Sequence, residues 1–158
     1  MREYIPIIQK KVSMPSQRYI KPHSIKQLEL SYFAWKYRDS NIPAGCRFVS
    51  KFRDDSANNL TKCIQAWCKV NGAHFQRQNS QGQFDPRLNI WRKSGSTRGI
   101  SDALIIYKGQ TINIEIKYGK DKQSDRQMSV QASIESAGGI YWIVRDYDEF
   151  LNQINEIL

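Results

Sequence analysis

The chain has 158 residues, 40% of them hydrophobic and 25% charged, and 24 Lys or Arg against 15 Asp or Glu give it a net charge of +9. That length suits one domain with an appended arm, and the composition is that of an ordinary globular chain, not a disordered or fibrous one. No apolar run approaches a membrane span, and Gln9, Lys10 and Lys11 interrupt any N-terminal signal segment, so no membrane partner is expected.

Cys46, Cys63 and Cys68 cannot all pair, and none has a zinc spacing. Free thiols in a reducing, cytoplasmic compartment are the simplest reading. The charge is uneven. Residues 1–53 carry 11 Lys or Arg against 3 acids, whereas residues 54–158 carry 13 against 12. A basic first third is an electrostatic footprint for nucleic acid.

Taken in order, residues 1–23 mix Pro6, Pro15 and Pro22 with basic residues and read as an extended arm. Ser24 followed by Gln27 predicts a capping box, opening a helix over about 25–38 with Ile25, Leu28, Tyr32 and Trp35 on one side. Asn41 to Phe52 reads as a linker or short strand. Ser56 predicts a second capped helix, with Leu60, Ile64 and Cys68 along one stripe, flanked by Cys63, Trp67 and Val70, and an αL stop at Asn71-Gly72. Ala73 to Gln78 reads as a strand, Pro86 to Trp91 as an irregular edge, and Lys93 to Gly99 as a small basic loop. Beyond a second basic loop, Ser124 and Gln127 predict a capping box and a helix whose inner stripe is Val130, Ile134 and Ala137, ended by Gly138-Gly139. Ile140 to Val144 is a buried-looking strand. Asp146 with Glu149 starts a last helix that turns Phe150, Ile154 and Ile157 inward.

The stretch from Gly99 to Lys117 organises the rest. Ala103 to Tyr107 is a run of β-formers, Lys108-Gly109 a tight turn, and Gln110 to Lys117 alternates strictly. Ile112, Ile114 and Ile116 therefore share one face, and Asn113, Glu115 and Lys117 the other. A hairpin centred on Lys108-Gly109 brings Asp102 near Glu115. Two carboxylates suit a hard cation such as Mg²⁺, which retains waters and accepts phosphate oxygens as ligands. A lysine beside them can orient an attacking water and hold a phosphate.

Asp102 … Glu115-Ile116-Lys117 resembles the catalytic signature of the PD-(D/E)xK nuclease superfamily. The helix, three strands, helix, strand order is similar to its α-β-β-β-α-β core, an α/β fold with a central mixed sheet flanked by helices. From about Asn58 to Phe150 the chain looks like the small VRR-NUC branch, which is similar to Holliday-junction resolvases. Gly99-x-x-Asp102, Glu115-x-Lys117, the basic loop, Ser124-x-x-Gln127 and Gly138 eleven residues on carry that likeness. The resemblance implies a nuclease domain over 54–158; residues 1–53, a basic arm and helix, lie outside it and are assigned by composition alone. It implies Mg²⁺ or Mn²⁺ held by Asp102, Glu115 and the Ile116 carbonyl, with Lys117 acting on the attacking water and Gln127 orienting that water or Lys117. It further implies a homodimer acting on branched or four-way DNA junctions, in a protein of bacterial, phage or mobile-element type, cytoplasmic and at the nucleoid when acting.

One departure stands out. The superfamily's first helix usually supplies a glutamate to the metal, whereas this chain reads Ser56-Ala57-Asn58-Asn59-Leu60, with Asn59 the candidate occupant. Lys93, Ser96, Arg98, Lys120 and Lys122 are the candidate DNA contacts. Tyr141, Trp142 and the Tyr32–Trp35 segment are the candidate partner surface. The alternative is a module of the same fold that binds nucleic acid without cutting it.

Overall fold

The structure is a computed structural model that describes residues 18–78, 83–92 and 99–157. In chain order its elements are α1 (His23–Tyr37), a 3₁₀ turn (Ala44–Cys46), α2 (Ala57–Asn71), β1 (His74–Arg77), β2 (Gln83–Asp85), β3 (Ile90–Arg92), β4 (Ala103–Tyr107), β5 (Gln110–Ile116), α3 (Asp125–Ser136), β6 (Ile140–Val144) and α4 (Tyr147–Glu156). A four-stranded mixed sheet runs β1-β4-β5-β6, antiparallel except for the parallel β5–β6 pair. A separate two-stranded ribbon pairs β2 with β3.

The β4–β5 hairpin turns on two residues with positive φ, Lys108 at 48° and Gly109 at 78°. That is the twist of a type I′ connection, which pins the register by pairing Tyr107 with Gln110. Ile105, Ile112, Ile114 and Val144 are then fully buried, with Leu60, Ile64 and Phe150 of α2 and α4 in the same core. Ile25 and Leu28 of α1 belong to that core as well, so residues of the basic first third are built into it. Tyr19 anchors the chain before α1. Its hydroxyl donates to Asp54 Oδ1 at 2.8 Å, while Asp54 Oδ2 accepts from the Tyr147 N–H at 3.3 Å.

Three caps form as the sequence predicts. Ser56 accepts from the Asn59 N–H, Ser124 and Gln127 form a full capping box, and Asp146 accepts from the Glu149 N–H. Gly72, at φ 69°, closes α2. The Ser24 cap does not form. α1 begins two residues earlier, at His23 with Pro22 as its N-cap, and the buried Ser24 Oγ finds no partner among the described residues. Proline presets the entry φ, and burial of Ile25 and Leu28 fixes which way the helix faces.

Residues 83–92 depart from the irregular edge expected there and form a hairpin. Asp85 Oδ1 accepts the N–H groups of Arg87 (3.0 Å) and Leu88 (3.4 Å), and Asn89 takes a positive φ of 51°. This Asx turn closes the loop. In α3 the expected inner stripe is shallow. Val130 and Ile134 are half-buried, Ala137 is exposed at the C-cap, and no residue of the helix is fully buried. The helix lies by the sheet face that carries Glu115 and Lys117, to which it is tied through Gln127.

Candidate active site

The site grows out of the hairpin register. Ala103 pairs with Ile114, so Asp102 stands opposite Glu115 one step beyond. Asp102 is exposed, and its Oδ2 accepts the Ile116 N–H at 2.8 Å. Glu115 and Lys117 lie on the polar face of β5 and its end, yet they are only 1% and 5% exposed. Charges that deep need partners, and both have them. Lys117 Nζ donates to Glu115 Oε1 at 2.9 Å and to Gln127 Oε1 at 3.0 Å, and lies 3.6 Å from Asp121 Oδ2. Gln127 Nε2 donates back to Glu115 Oε1, and the Tyr141 hydroxyl donates to Glu115 Oε2 at 3.3 Å. Gln127 Oε1 also accepts the Ser124 N–H at 2.9 Å. One glutamine thus caps α3 and bridges the Glu115–Lys117 pair.

These groups line a cavity of ≈ 290 Å³ at one end of the sheet. Ala57, Asn58 and Thr61 reach it from the start of α2, Arg77 from the end of β1, Asp102 from just before β4, and Glu115, Ile116 and Lys117 from the end of β5. Asp121 and Gln127 complete it. Gly99 brings the β4 approach against α3. Its φ is 85°, and a Cβ there would lie 2.9 Å from the Arg126 backbone.

Burial holds the Glu115 carboxyl above the usual glutamate range. Asp102 pushes it the same way, and the Lys117 and Tyr141 contacts oppose it without prevailing. Burial works against the Lys117 ammonium, but the Glu115 hydrogen bond and charge, then Asp121 and Asp102, outweigh it and keep its pKa above that of an ordinary lysine. The Tyr141 hydroxyl is raised by burial and by Glu115. Away from the site, burial pushes the Cys63 and Cys68 thiols up to about 12, which leaves them inert.

The donors present are oxygens, the kind a hard cation takes. Among the described residues no group of three or more His, Cys, Asp or Glu is arranged to hold a metal. Asp102 and Glu115 are the residues here that could hold Mg²⁺, which binds through one or two carboxylates and completes its shell with water and phosphate oxygens.

Asp102, Glu115, Ile116, Lys117 and Gln127 therefore come together as anticipated from the sequence. Asn59 does not join them. Its Nδ2 donates to Asp55 Oδ1 at 2.9 Å, and its neighbour Asn58 lines the cavity instead, accepting from Arg77 at 3.1 Å. Lys120 and Lys122 are exposed on the loop after β5. Lys93, Ser96 and Arg98 lie outside the described residues. Tyr141 is buried against Glu115, so it is withdrawn from any partner surface; Trp142, Tyr32 and Trp35 are half-buried. Sequence reasoning missed Asn58, Thr61, Arg77, Asp121 and Tyr141 at the site. Only the parallel β5–β6 register, which pairs Asn113 with Tyr141, reveals the last of these.

Compared with known proteins, the chain matches no family model and no curated protein. No helix among the described residues is long and apolar enough to cross a membrane.

Proposed function

We propose that the chain is a Mg²⁺- or Mn²⁺-dependent endonuclease of the VRR-NUC type, built on a PD-(D/E)xK core and hydrolysing phosphodiester bonds in branched DNA such as four-way junctions. The convergence of Asp102, Glu115, Lys117 and Gln127 on one polar cavity carries this reading. The order α2-β1-β4-β5-α3-β6 and the basic N-terminal third support it.

Asp102, Glu115 and the Ile116 carbonyl would hold the cation. When bound, it supplies a water of lowered pKa and neutralises charge developing on the phosphoryl group. Lys117 is a fixed cation, held by Glu115 and Gln127, that orients the attacking water and steadies the phosphate. Gln127 is a positioning residue for Lys117. The attacking water releases a proton to solvent as its oxygen bonds to phosphorus; the opposite P–O ester bond breaks, and the departing oxygen takes up a proton from solvent.

Titration calorimetry with Mn²⁺ and a panel of flaps, splayed arms, four-way junctions and blunt duplex, cut at matched salt, test the proposal. Mn²⁺ binding that disappears in Asp102→Asn, with cutting concentrated on branched substrates, is the expected result. Tight DNA binding without Mn²⁺ binding would favour a non-cutting binding module. One feature favours that second reading: both Glu115 oxygens are already engaged within the protein. Paired cuts across a four-way junction need two sites, which a two-fold homodimer supplies. Light scattering at micromolar protein is expected to report two chains. A mass of one chain, free and on DNA, would leave a monomeric nicking or flap nuclease.

A further inference from the structure

The β2–β3 ribbon is left unexplained by the cavity. Among the described residues β2 and β3 chiefly contact each other, and a two-stranded hairpin with so little support is marginal, yet this one displays large apolar side chains to solvent. Phe84 is 48% exposed, Leu88 57%, Ile90 49% and Trp91 66%. Phe84 and Trp91 are direct cross-strand partners, so they stand on one face, with ring centroids 6.3 Å apart and planes 37° from each other. The Asx turn at Asp85 holds the loop between them.

Two further facts bear on what this aromatic face would take. The stretch from Gln78 to Ser101 carries Arg87, Arg92, Lys93 and Arg98 against a single acid, Asp85. Aromatic rings on a basic ribbon are the pairing that single-stranded nucleic acid uses, with bases on the rings and phosphates on the cations. The ribbon is also tied to the cavity end of the sheet. The chain leaves at Gln78, whose N–H donates to the Asp102 carbonyl at 2.8 Å and whose side chain accepts from Ser101 at 3.0 Å. Five residues on, at Gln83, it can be no more than about 18 Å away even at full extension. A few nucleotides from a phosphate held in the cavity would bring a base within reach of the ribbon.

We infer that the Phe84–Trp91 face is a stacking platform for unpaired bases of the DNA whose phosphate lies in the cavity. The inference rests on the proposed nuclease function and narrows its substrate to DNA with unpaired bases beside the cut. It makes the hairpin the element that tells a splayed or flapped branch from blunt duplex. The rings supply sequence-tolerant stacking, and Arg87, exposed in the turn between the strands, supplies a cation for the backbone.

The test uses the full chain, oligo-dT and blunt duplex of equal length. Trp91 fluorescence is isolated as the difference between the wild type and Trp91→Leu, a substitution that keeps an apolar residue in the strand. Oligo-dT is expected to quench this component and duplex to leave it unchanged. Trp91→Leu and Phe84→Leu should each weaken binding to a splayed-arm DNA by about 5- to 150-fold, as expected for loss of one stacked base. Both should leave blunt-duplex binding within about two-fold, and Trp91→Tyr, which keeps a ring, should retain most of the affinity. Unchanged splayed-arm affinity in both leucine variants, with metal-dependent cutting intact, would overturn the platform and leave the nuclease reading standing. The same result with a loss of mass by light scattering would assign the face to a protein partner. Absence of both cutting and DNA binding in the wild type would remove the nuclease reading itself.

Discussion

Gln127 joins local folding to site chemistry through one side chain. Its amide accepts the Ser124 N–H at the start of α3, accepts from Lys117 and donates to Glu115. Gln127→Ala should therefore lower stability by about 1 kcal/mol, the scale of a lost cap, and slow cutting while leaving Mn²⁺ affinity nearly unchanged; denaturant unfolding and calorimetry read the two effects separately. Glu115 carries the pH dependence. Its folded pKa lies above its unfolded value, because burial penalises the carboxylate. The stability it contributes is fully present below the unfolded pKa and is lost as pH rises through the folded one. In EDTA, Glu115→Gln should thus gain on the wild type in urea midpoint as pH climbs through that window, and Mn²⁺ should reverse the gain by favouring the carboxylate. A difference that is flat with pH would contradict the assignment. Strict alternation after a two-residue turn made Asp102, Glu115 and Lys117 legible in the sequence. Arg77 and Tyr141 reach the site by pairing between strands distant in sequence, and no local pattern carries that information.

At the scale of elements, the helix starts divide into real caps and a false one. Ser56, Ser124 and Asp146 were legible because an N-cap depends on a few neighbouring residues. Ser24 fits the same local pattern, but Pro22 and the burial of Ile25 move the start of α1 past it. Ser56→Ala should accordingly cost about 1 kcal/mol. Ser24→Ala, which removes a buried hydroxyl with no partner among the described residues, should be neutral or mildly stabilising. Urea unfolding of the two variants side by side settles the contrast. Gly99 joins two elements that sequence alone does not bring together. With φ at 85° and a Cβ position 2.9 Å from the Arg126 backbone, Gly99→Ala should destabilise by about 1–3 kcal/mol and displace the start of α3. Cutting should fall with it, because α3 carries Gln127. The hairpin at 83–92 escaped the sequence reading because Pro86 looks like a strand breaker, whereas here it lies inside the turn between the two strands.

Across the whole molecule, one buried core joins α1 to α2, α4 and the sheet, while the cavity opens at the sheet end where five segments meet. Deleting residues 1–17 removes Arg2, Lys10 and Lys11 but keeps the Tyr19–Asp54 contact. If those cations touch phosphates, the slope of log affinity against log salt on duplex DNA should flatten by ~0.9 per lost contact. An unchanged slope would show that they do not.

The central claim is that Asp102, Glu115 and Lys117 form a metal-dependent phosphodiesterase centre. Single-turnover cleavage of end-labelled splayed-arm DNA tests it most directly, in Mn²⁺ and in EDTA, with the wild type, Asp102→Asn and Lys117→Met compared once each variant has been shown to be folded. Cutting by the wild type in Mn²⁺ alone, reduced by about a thousand-fold or more in both variants, a loss of about 4 kcal/mol or more of transition-state stabilisation, is the predicted result. Cutting that persists in EDTA, or at wild-type rate in folded Asp102→Asn, would contradict it.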